Sequence, residues 1–317
     1  RHPDSVAFVP DVREDLARRD FTINAMAYSA EEGLCDPFGG QEDLARGVVR
    51  AVGEPLRRFE EDALRILRLY RFAARFGFVI DEATEAAAKQ LAAHLDCVSV
   101  ERIEEELNKL LSAPKPGAYL EPEVLAFVLP ELPPDDLSEA REILDALPAG
   151  AEEVTTRWAA LLLPLGEDGT RKALKRLKCS NAVIDGVSTL VKEKAPRTPA
   201  LSLQAKRLLG KYDLHTVQQL TALWSALQPE RKDEFTDLQK EAETLTAQSV
   251  CCRVSQLAVD GGGRRARAGS APRAGSAAGR GHHRAAAQQK SGTSGLCGQI
   301  FCVLTRERSC GSIILLF

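Results

Sequence analysis

Arginine and acidic side chains cluster at two places in the sequence, and the first cluster lies in the string RRDFTIN. It contains Arg18, Arg19, Asp20 and Asn24. Guanidinium groups form forked hydrogen bonds with phosphate oxygens, and short carboxylate and amide side chains can bind sugar hydroxyls. For Arg19 and Asp20 taken alone, a solvated ion pair beside a turn is the favoured alternative. The longer string is harder to explain as a solvated ion pair.

The second cluster opens a segment in which acids and arginines stand three or four residues apart. This spacing brings side chains together on one side of an α-helix, and it is shared by Glu61, Asp62, Arg65, Arg68 and Arg71. A carboxylate accepts from an exocyclic amine and an arginine donates to ring acceptors, so Asp62 with Arg65 could read a base edge. The alternative is an intrahelical salt-bridge face, worth about 0.2 to 0.5 kcal/mol per pair, and spacing alone favours it.

Several elements must hold these two clusters in place. Residues 25–36 read as a strand, a polar turn and a second strand. From residue 60 to 76, apolar residues recur at helical spacing among arginines, which predicts one helix with acids in its first turn. Further helices are predicted over about residues 81–95, 100–111 and 139–147.

The composition favours a mainly α fold. Of the 317 residues, 44% are hydrophobic, 27% are charged and only 5% are aromatic, while Ala, Leu, Arg and Glu dominate. Sandwiches and barrels of short strands are therefore disfavoured, and we expect a helical neck, body and tail after a small α/β remnant. The eight cysteines lack a paired Cys-x-x-Cys spacing, which argues against a zinc framework. No apolar run approaches 20 residues, so we expect no membrane segment and a cytoplasmic location.

A change of charge within the helical part suggests a partner. Residues 121–170 are rich in acids, whereas residues 171–211 are rich in bases. In RKALKRLK, a basic ridge at one-turn spacing is formed by Arg171, Lys172, Lys175 and Arg176. Such a ridge suits the phosphate backbone of RNA, and a solvated helix face is an equally common alternative.

The longer motifs resemble those of one family, the class II CCA-adding enzymes, or tRNA nucleotidyltransferases, and the related bacterial poly(A) polymerases. The resemblance covers residues 1–261. DLARRDFTINAMAY is similar to the family's ribose-and-phosphate motif, DPFGGQEDL to its hinge, and RFEEDALRILRLYRFAARFGF to its base-reading helix. SVERIEEELNKLL resembles the motif that steadies the neck, and LPEL at 129–132 is a weaker match.

The resemblance implies a role for each matching residue. Arg19 corresponds to a nucleotide-contacting arginine, and Asp20 and Asn24 are candidates for sugar recognition. Asp62 and Arg65 correspond to the pair that selects CTP and then ATP. Further nucleotide-binding positions are implied at Glu61, which helps to hold that pair, and at Arg68 and Arg71.

A second set of positions matches the hinge between head and neck, namely Gly39, Gly40 and Asp43. The implied domains are the C-terminal part of a nucleotidyltransferase head at 1–50, a helical neck for base and RNA binding at 51–116, and a tRNA-binding body and tail at 117–261. Residues 262–317 are low in complexity, and we expect them to be disordered or the product of a reading-frame slip.

One departure from the family concerns metal binding. The family holds Mg²⁺ through an Asp-x-Asp pair ahead of the RRD string, and residues 1–17 lack it. We therefore expect a chain truncated at its N-terminus, with the Mg²⁺ ligands outside it and no catalytic residue or metal ligand within it. Such a chain would bind CTP, ATP and tRNA but not add nucleotides alone. Alternatives are a poly(A) polymerase, an A-adding or CC-adding specialist, or a non-catalytic RNA-binding module.

Overall fold

The computed structural model describes residues 11–133, 137–196 and 201–260, together with a two-residue strand at 314–315. Helices dominate these ranges, as the composition predicts. The first part of the chain is a small α/β region. Its elements are α1 (Val12–Ala17), β1 (Ala27–Ser29), β2 (Gly33–Cys35), α2 (Gly40–Arg46) and β3 (Val48–Val49).

The predicted strand, turn and second strand are confirmed. β1 and β2 pair antiparallel, with Tyr28 opposite Leu34, and Gly33 follows the turn with a positive φ of 76°. The other edge of β1 pairs antiparallel with the short strand Ile314–Leu315. Asp11 caps α1, because its carboxylate accepts a hydrogen bond from the Arg13 N–H at 2.8 Å.

The next part of the chain is helical and contains one short parallel strand pair. Its elements are α3 (Pro55–Glu61), α4 (Leu64–Phe76), β4 (Val79–Ile80), α5 (Glu82–Gln90) and α6 (Val100–Leu111). β4 pairs parallel with β3, and α6 has the bounds that the sequence predicts. The predicted helix over 81–95 instead ends at Gln90, and a 3₁₀ helix follows over Ala92–Cys97.

The prediction of one continuous helix over residues 60–76 is wrong. The chain breaks between α3 and α4, where Asp62 is extended, with φ −154° and ψ 102°. The Asp62 carboxylate accepts the N–H of Leu64 at 3.2 Å and so supplies an acceptor for the free first turn of α4. Leu64 and Leu67 are buried at the start of α4, so the apolar spacing was correct for this helix.

The remaining helices form the body. Their bounds are α7 (Pro122–Val128), α8 (Leu137–Ala146), α9 (Val154–Leu162), α10 (Gly166–Arg176), α11 (Asn181–Lys192), α12 (Leu201–Leu209), α13 (Leu214–Leu227) and α14 (Lys232–Asp260). The helix predicted over 139–147 corresponds to α8, two residues earlier at its start. Trp158 and Trp224 are almost wholly buried in an apolar core that also includes residues of α4 and α6.

The chain divides into two compact units, Arg1–Cys251 with Ile313–Phe317, and Cys252–Ser312. Of the second unit, the structure describes only the end of α14 at 252–260. The prediction of disorder or a frame slip over 262–317 lies outside the described residues, apart from Ile314 and Leu315. No helix in the described ranges is long and apolar enough to cross a membrane.

Candidate functional site

The structure brings the two charged clusters of the sequence together in one cavity. The cavity has a volume of about 250 Å³ and opens beside the start of α4. It is lined by Arg18, Arg19, Asp20, Asn24, Asp62, Leu64, Arg65, Arg68 and Arg102. Residues more than 40 positions apart in the chain thus form a common wall, and most of them were predicted from the sequence.

Backbone pairing and one aromatic contact hold the RRD string against α4. The N–H of Thr22 donates to the Arg50 carbonyl at 2.9 Å, and the N–H of Val52 donates to the Asp20 carbonyl at 3.0 Å. Between these bonds, the buried ring of Phe21 meets that of Phe72 edge-on, with ring centres 5.8 Å apart. The contact between these two rings fixes the position of the string along the axis of α4.

Asp20 organises the floor of the cavity. One carboxylate oxygen accepts from the N–H of Phe21 at 2.9 Å and from the Asn24 amide at 3.1 Å. The other oxygen accepts from Nε of Arg68 at 2.7 Å. Asp20 is only 6% exposed, and both of its carboxylate oxygens already accept hydrogen bonds from groups of the protein, including Asn24 and Arg68. The predicted contact of Asp20 and Asn24 with a sugar stays a prediction.

Arg65 is held in a fixed orientation by acceptors on three sides. Its Nη1 donates to Glu61 and to the Arg58 carbonyl, both at 3.0 Å, and its Nη2 donates to the Arg18 carbonyl at 2.9 Å. Glu61 also accepts from Arg58 at 2.9 Å. Glu61 thus holds the side chains of Arg58 and Arg65, and its predicted role in holding a base-reading pair stays a prediction. Arg19 borders the same cavity and donates to Asp15 at 3.3 Å.

Asp62 faces a partner that the sequence analysis missed. Its Oδ2 accepts from Nη2 of Arg102 on α6 at 2.9 Å. The two residues also line a larger neighbouring cavity of about 920 Å³, which includes His94 and Ser99. Arg102 lies within SVERIEEELNKLL. From the sequence, this motif is expected to steady the neck, but no role is predicted for Arg102 itself. Asp62 and Arg102 therefore stand between the two cavities.

Arg71 lies one turn beyond the cavity and is not among its lining residues. It is 7% exposed, its Nε is 2.7 Å from Glu106 on α6, and its guanidinium lies 3.9 Å from the ring centre of Phe72. Burial lowers the pKa of Arg71, although the neighbouring Glu106 opposes that shift. The structure thus separates Arg71 from Arg65 and Arg68, and Glu106, another residue the sequence analysis missed, is its immediate partner.

The predicted hinge is a closely packed joint. Asp36 accepts the N–H groups of Gly40 and Gln41 at 2.7 and 2.9 Å, and Gly39 has a positive φ of 74°. A Cβ on Gly40 would lie 2.3 Å from the Thr22 carbonyl oxygen, so only glycine fits there. The buried Asp43 accepts from the Thr22 hydroxyl at 2.6 Å. Movement about this joint stays a prediction.

The basic ridge on α10 divides into two kinds of residue. Arg171 donates to Asp185 at 2.8 Å, and Arg176 is bound through two nitrogens to Glu131 at 2.7 and 2.8 Å. Lys172 and Lys175 are exposed. The two lysines are therefore the members of the ridge that present charge to solvent, while both arginines are engaged with acids.

The predicted lack of metal ligands concerns the whole chain, and the structure covers part of it. Within residues 11–133, 137–196 and 201–260, no group of three or more His, Cys, Asp or Glu side chains is placed to hold a metal ion. A Mg²⁺ site built from three or more such side chains is therefore not present among these residues.

Comparison with known families gives two matches. Residues 1–50 match the Poly A polymerase head domain, and residues 77–133 match the probable RNA and SrmB-binding site of polymerase A. The second match contains Arg102 and Glu106, the α6 residues that contact the cavity wall and Arg71.

Individual relatives are named CCA-adding enzymes. A CCA-adding enzyme of Limosilactobacillus reuteri is 37% identical over 269 residues, which cover 82% of this chain and 64% of the relative. One from Limosilactobacillus fermentum is 39% identical over 69% of this chain and 54% of the relative. The chain thus spans between half and two thirds of the length of these relatives.

Solved structures of CCA-adding enzymes have a similar fold. The Bacillus stearothermophilus CCA-adding enzyme in complex with CTP is 32% identical and superposes with a TM-score of 0.64, over 76% of this chain and 62% of that one. The Thermotoga maritima CCA-adding enzyme complexed with tRNA shares the fold, with a TM-score of 0.55 and 24% identity over 73% and 61% of the two chains. The motifs, the fold and these relatives agree, and the chain belongs to the family of CCA-adding enzymes and poly(A) polymerases.

Proposed function

We propose that the chain is the nucleotide-selecting and RNA-binding part of an enzyme that adds CCA to tRNA 3′ ends from CTP and ATP. The observation that carries the proposal is the shared cavity of the RRD string and the start of α4. Arg19 and Arg68 supply guanidinium groups for phosphates, and Asp62 and Arg65 supply an acceptor and a donor for a base edge. The relative with CTP bound supports the nucleotide class, since it superposes on most of this chain.

The roles of the remaining parts belong to the same proposal. Residues 1–50 would be part of a head, 51–116 a neck, and 117–261 a tRNA-binding body and tail, in a cytoplasmic enzyme. The parent reaction would use Mg²⁺, in line with the resemblance, while the described residues would select and orient the nucleotide. A poly(A) polymerase is the second candidate, because both matching family descriptions name that enzyme.

The test measures binding of CTP, ATP, UTP and GTP to the 317-residue chain, and of a tRNA that lacks its 3′ CCA. We expect CTP and ATP to bind more tightly than UTP and GTP. Asp62→Ala or Arg65→Ala should remove that discrimination, by about 5- to 150-fold for a lost base contact worth about 1–3 kcal/mol. Affinity for tRNA should change little, because phosphate contacts dominate RNA affinity and base contacts give selectivity.

A matched control is Arg46→Ala, since Arg46 is an arginine 66% exposed on α2, outside the cavity. Equal binding of all four nucleotides by the unaltered chain would overturn the proposal. Binding of ATP alone would favour the poly(A) polymerase. Incorporation of labelled CTP and ATP into the same tRNA shows whether the chain also adds nucleotides by itself, and we expect that it does not.

A further inference from the structure

Helices α4 and α6 lie side by side and run in the same direction away from the cavity shared by the RRD string and the start of α4, which is the proposed nucleotide cavity. Cross-helix contacts follow the same order on both helices: Asp62 meets Arg102, and farther along Arg71 meets Glu106. One more turn along, residues of the two helices and of the segment after α6 line a further pocket. Its position continues the line of charged contacts that begins in the nucleotide cavity.

This pocket is lined by cationic side chains and no acid. It has a volume of about 290 Å³ and is bordered by Arg71, Arg75, Lys109, Ser112, Ala113 and Pro114. Lys109 contacts Glu105 at 2.7 Å and Glu106 at 3.5 Å, so part of its charge is compensated. Arg75 is exposed and makes no ion pair with any residue in the described ranges. Arg71 and Arg75 are four residues apart on α4, where like charges repel each other.

The floor of the pocket would ordinarily repel an anion, because the last turn of α6 ends there with free carbonyl groups. Here those carbonyls are occupied. The wholly buried Arg157 donates to the carbonyls of Leu111 and Ala113, and the Ser112 hydroxyl donates to the Lys109 carbonyl at 2.8 Å. Burial lowers the pKa of Arg157, and the nearby acids Asp145 and Glu153 oppose that shift. The pocket therefore keeps an excess of positive charge.

We propose that this pocket binds a backbone phosphate of the RNA strand whose 3′ end lies in the nucleotide cavity. The inference rests on the proposed function. Ten residues of α4 separate Arg65 from Arg75, or about 15 Å at 1.5 Å per residue. That distance matches roughly four stacked nucleotides at 3.4 Å each. A phosphate would relieve the repulsion between Arg71 and Arg75 and form charge-assisted hydrogen bonds with them. Lys109 also falls within the matched RNA-binding region, residues 77–133.

The test compares Arg75→Gln and Lys109→Gln with the unaltered 317-residue chain. Affinity for a single-stranded RNA ending in CC is measured between about 50 and 200 mM salt, and CTP affinity is measured in parallel. Each substitution should weaken RNA binding by about three- to tenfold and lower the slope of log K against log salt by about 0.7. CTP affinity should not change. Arg75→Lys, which keeps the charge, should restore most of the RNA affinity.

Arg46→Gln serves as the control and should change neither affinity. If the unaltered chain binds CTP and RNA but Arg75→Gln leaves RNA affinity and its salt slope unchanged, the phosphate pocket is refuted and the proposed function stands. If Arg75→Gln weakens CTP binding and not RNA binding, the pocket holds a triphosphate, which also overturns the inference. If the unaltered chain binds neither ligand, both proposals fail.

Discussion

Arginine side chains in this protein have at least three separate tasks. Arg65 is fixed by two backbone carbonyls and Glu61 so that its guanidinium borders the proposed nucleotide cavity. Arg71 is buried against Glu106 and Phe72. Arg157 has no exposed surface and donates to main-chain carbonyls. Residue type alone does not distinguish these tasks, because the partner decides whether the guanidinium binds a ligand or stabilises the fold.

Arg157 should be among the residues most important for stability. Its guanidinium donates to the carbonyls of Leu111, Ala113, Leu147 and Pro148, at the ends of α6 and α8. Arg157→Met keeps much of the volume but leaves these acceptors without their donor, so we expect the free energy of unfolding to fall by about 3 kcal/mol or more. Denaturant unfolding followed by circular dichroism measures the change.

The control is Arg46→Met, at an exposed arginine, which should change the free energy of unfolding by less than about 0.5 kcal/mol. Arg157→Lys should recover only part of the loss, because one ammonium group cannot reach acceptors that a planar fork spans. An unaltered unfolding midpoint for Arg157→Met would show that the carbonyls find other donors.

At the scale of elements, the break between α3 and α4 is the feature that shapes the site. A single helix over residues 60–76 would place Asp62 within a regular turn, whereas the extended backbone at Asp62 directs its carboxylate to Arg102 and to the N–H of Leu64. Periodicity could not reveal the break, because the buried Phe59 continues the apolar face across it. The contact that competes with a regular helical turn at Asp62 is its hydrogen bond from Arg102 on α6, 40 residues later in the chain.

The ion pair between Glu131, which follows α7, and Arg176 on α10 should make stability depend on pH. The hydrogen bonds from Arg176 hold the pKa of the Glu131 carboxyl below its usual value. Since the folded-state pKa is depressed, the pair stabilises the fold above the unfolded pKa of about 4.3, and this contribution is lost as pH falls through the folded pKa. Glu131→Gln should therefore cost about 1 kcal/mol at pH 7, and the cost should shrink as the pH falls towards about 3.

Unfolding of the two proteins across this pH range measures the difference. Glu42→Gln is the control, because Glu42 and Arg46 form an exposed pair at 3.5 Å, and it should show no such dependence. A difference between Glu131→Gln and the unaltered chain that stays constant from pH 7 to pH 3 would contradict the assignment to the charged pair.

At the scale of the whole molecule, the two proposed RNA surfaces lie on different helices, one between α4 and α6 and one on α10. Of the ridge on α10, the exposed Lys172 and Lys175 make no ion pair with any described residue, while Arg171 and Arg176 each have an acidic partner. Lys172→Gln with Lys175→Gln should lower the salt slope of tRNA binding by about 0.7 to 0.9 per lysine and leave the discrimination between CTP and UTP unchanged.

Lys240→Gln is a suitable control, since Lys240 is an exposed lysine on α14 that pairs with Asp237 at 3.2 Å. If the double variant binds tRNA with an unaltered salt slope, the ridge is a solvated helix face. Combined with Arg75→Gln, the double variant should give additive losses, because substitutions at separate sites add when they share no partner.

The sequence by itself determined the family, the helical class, the hairpin over 25–36, the bounds of α6 and most of the residues that line the proposed nucleotide cavity. These features depend on local spacing, composition and motif order, which a linear chain displays directly. Only the tertiary structure decided the partners of Asp62 and Arg68 that lie far away in the sequence. Asp62 binds Arg102, 40 residues away, and Arg68 binds Asp20, 48 residues away. Such pairs form because packed helices bring distant carboxylates and guanidinium groups within hydrogen-bond distance, and no local spacing encodes that contact.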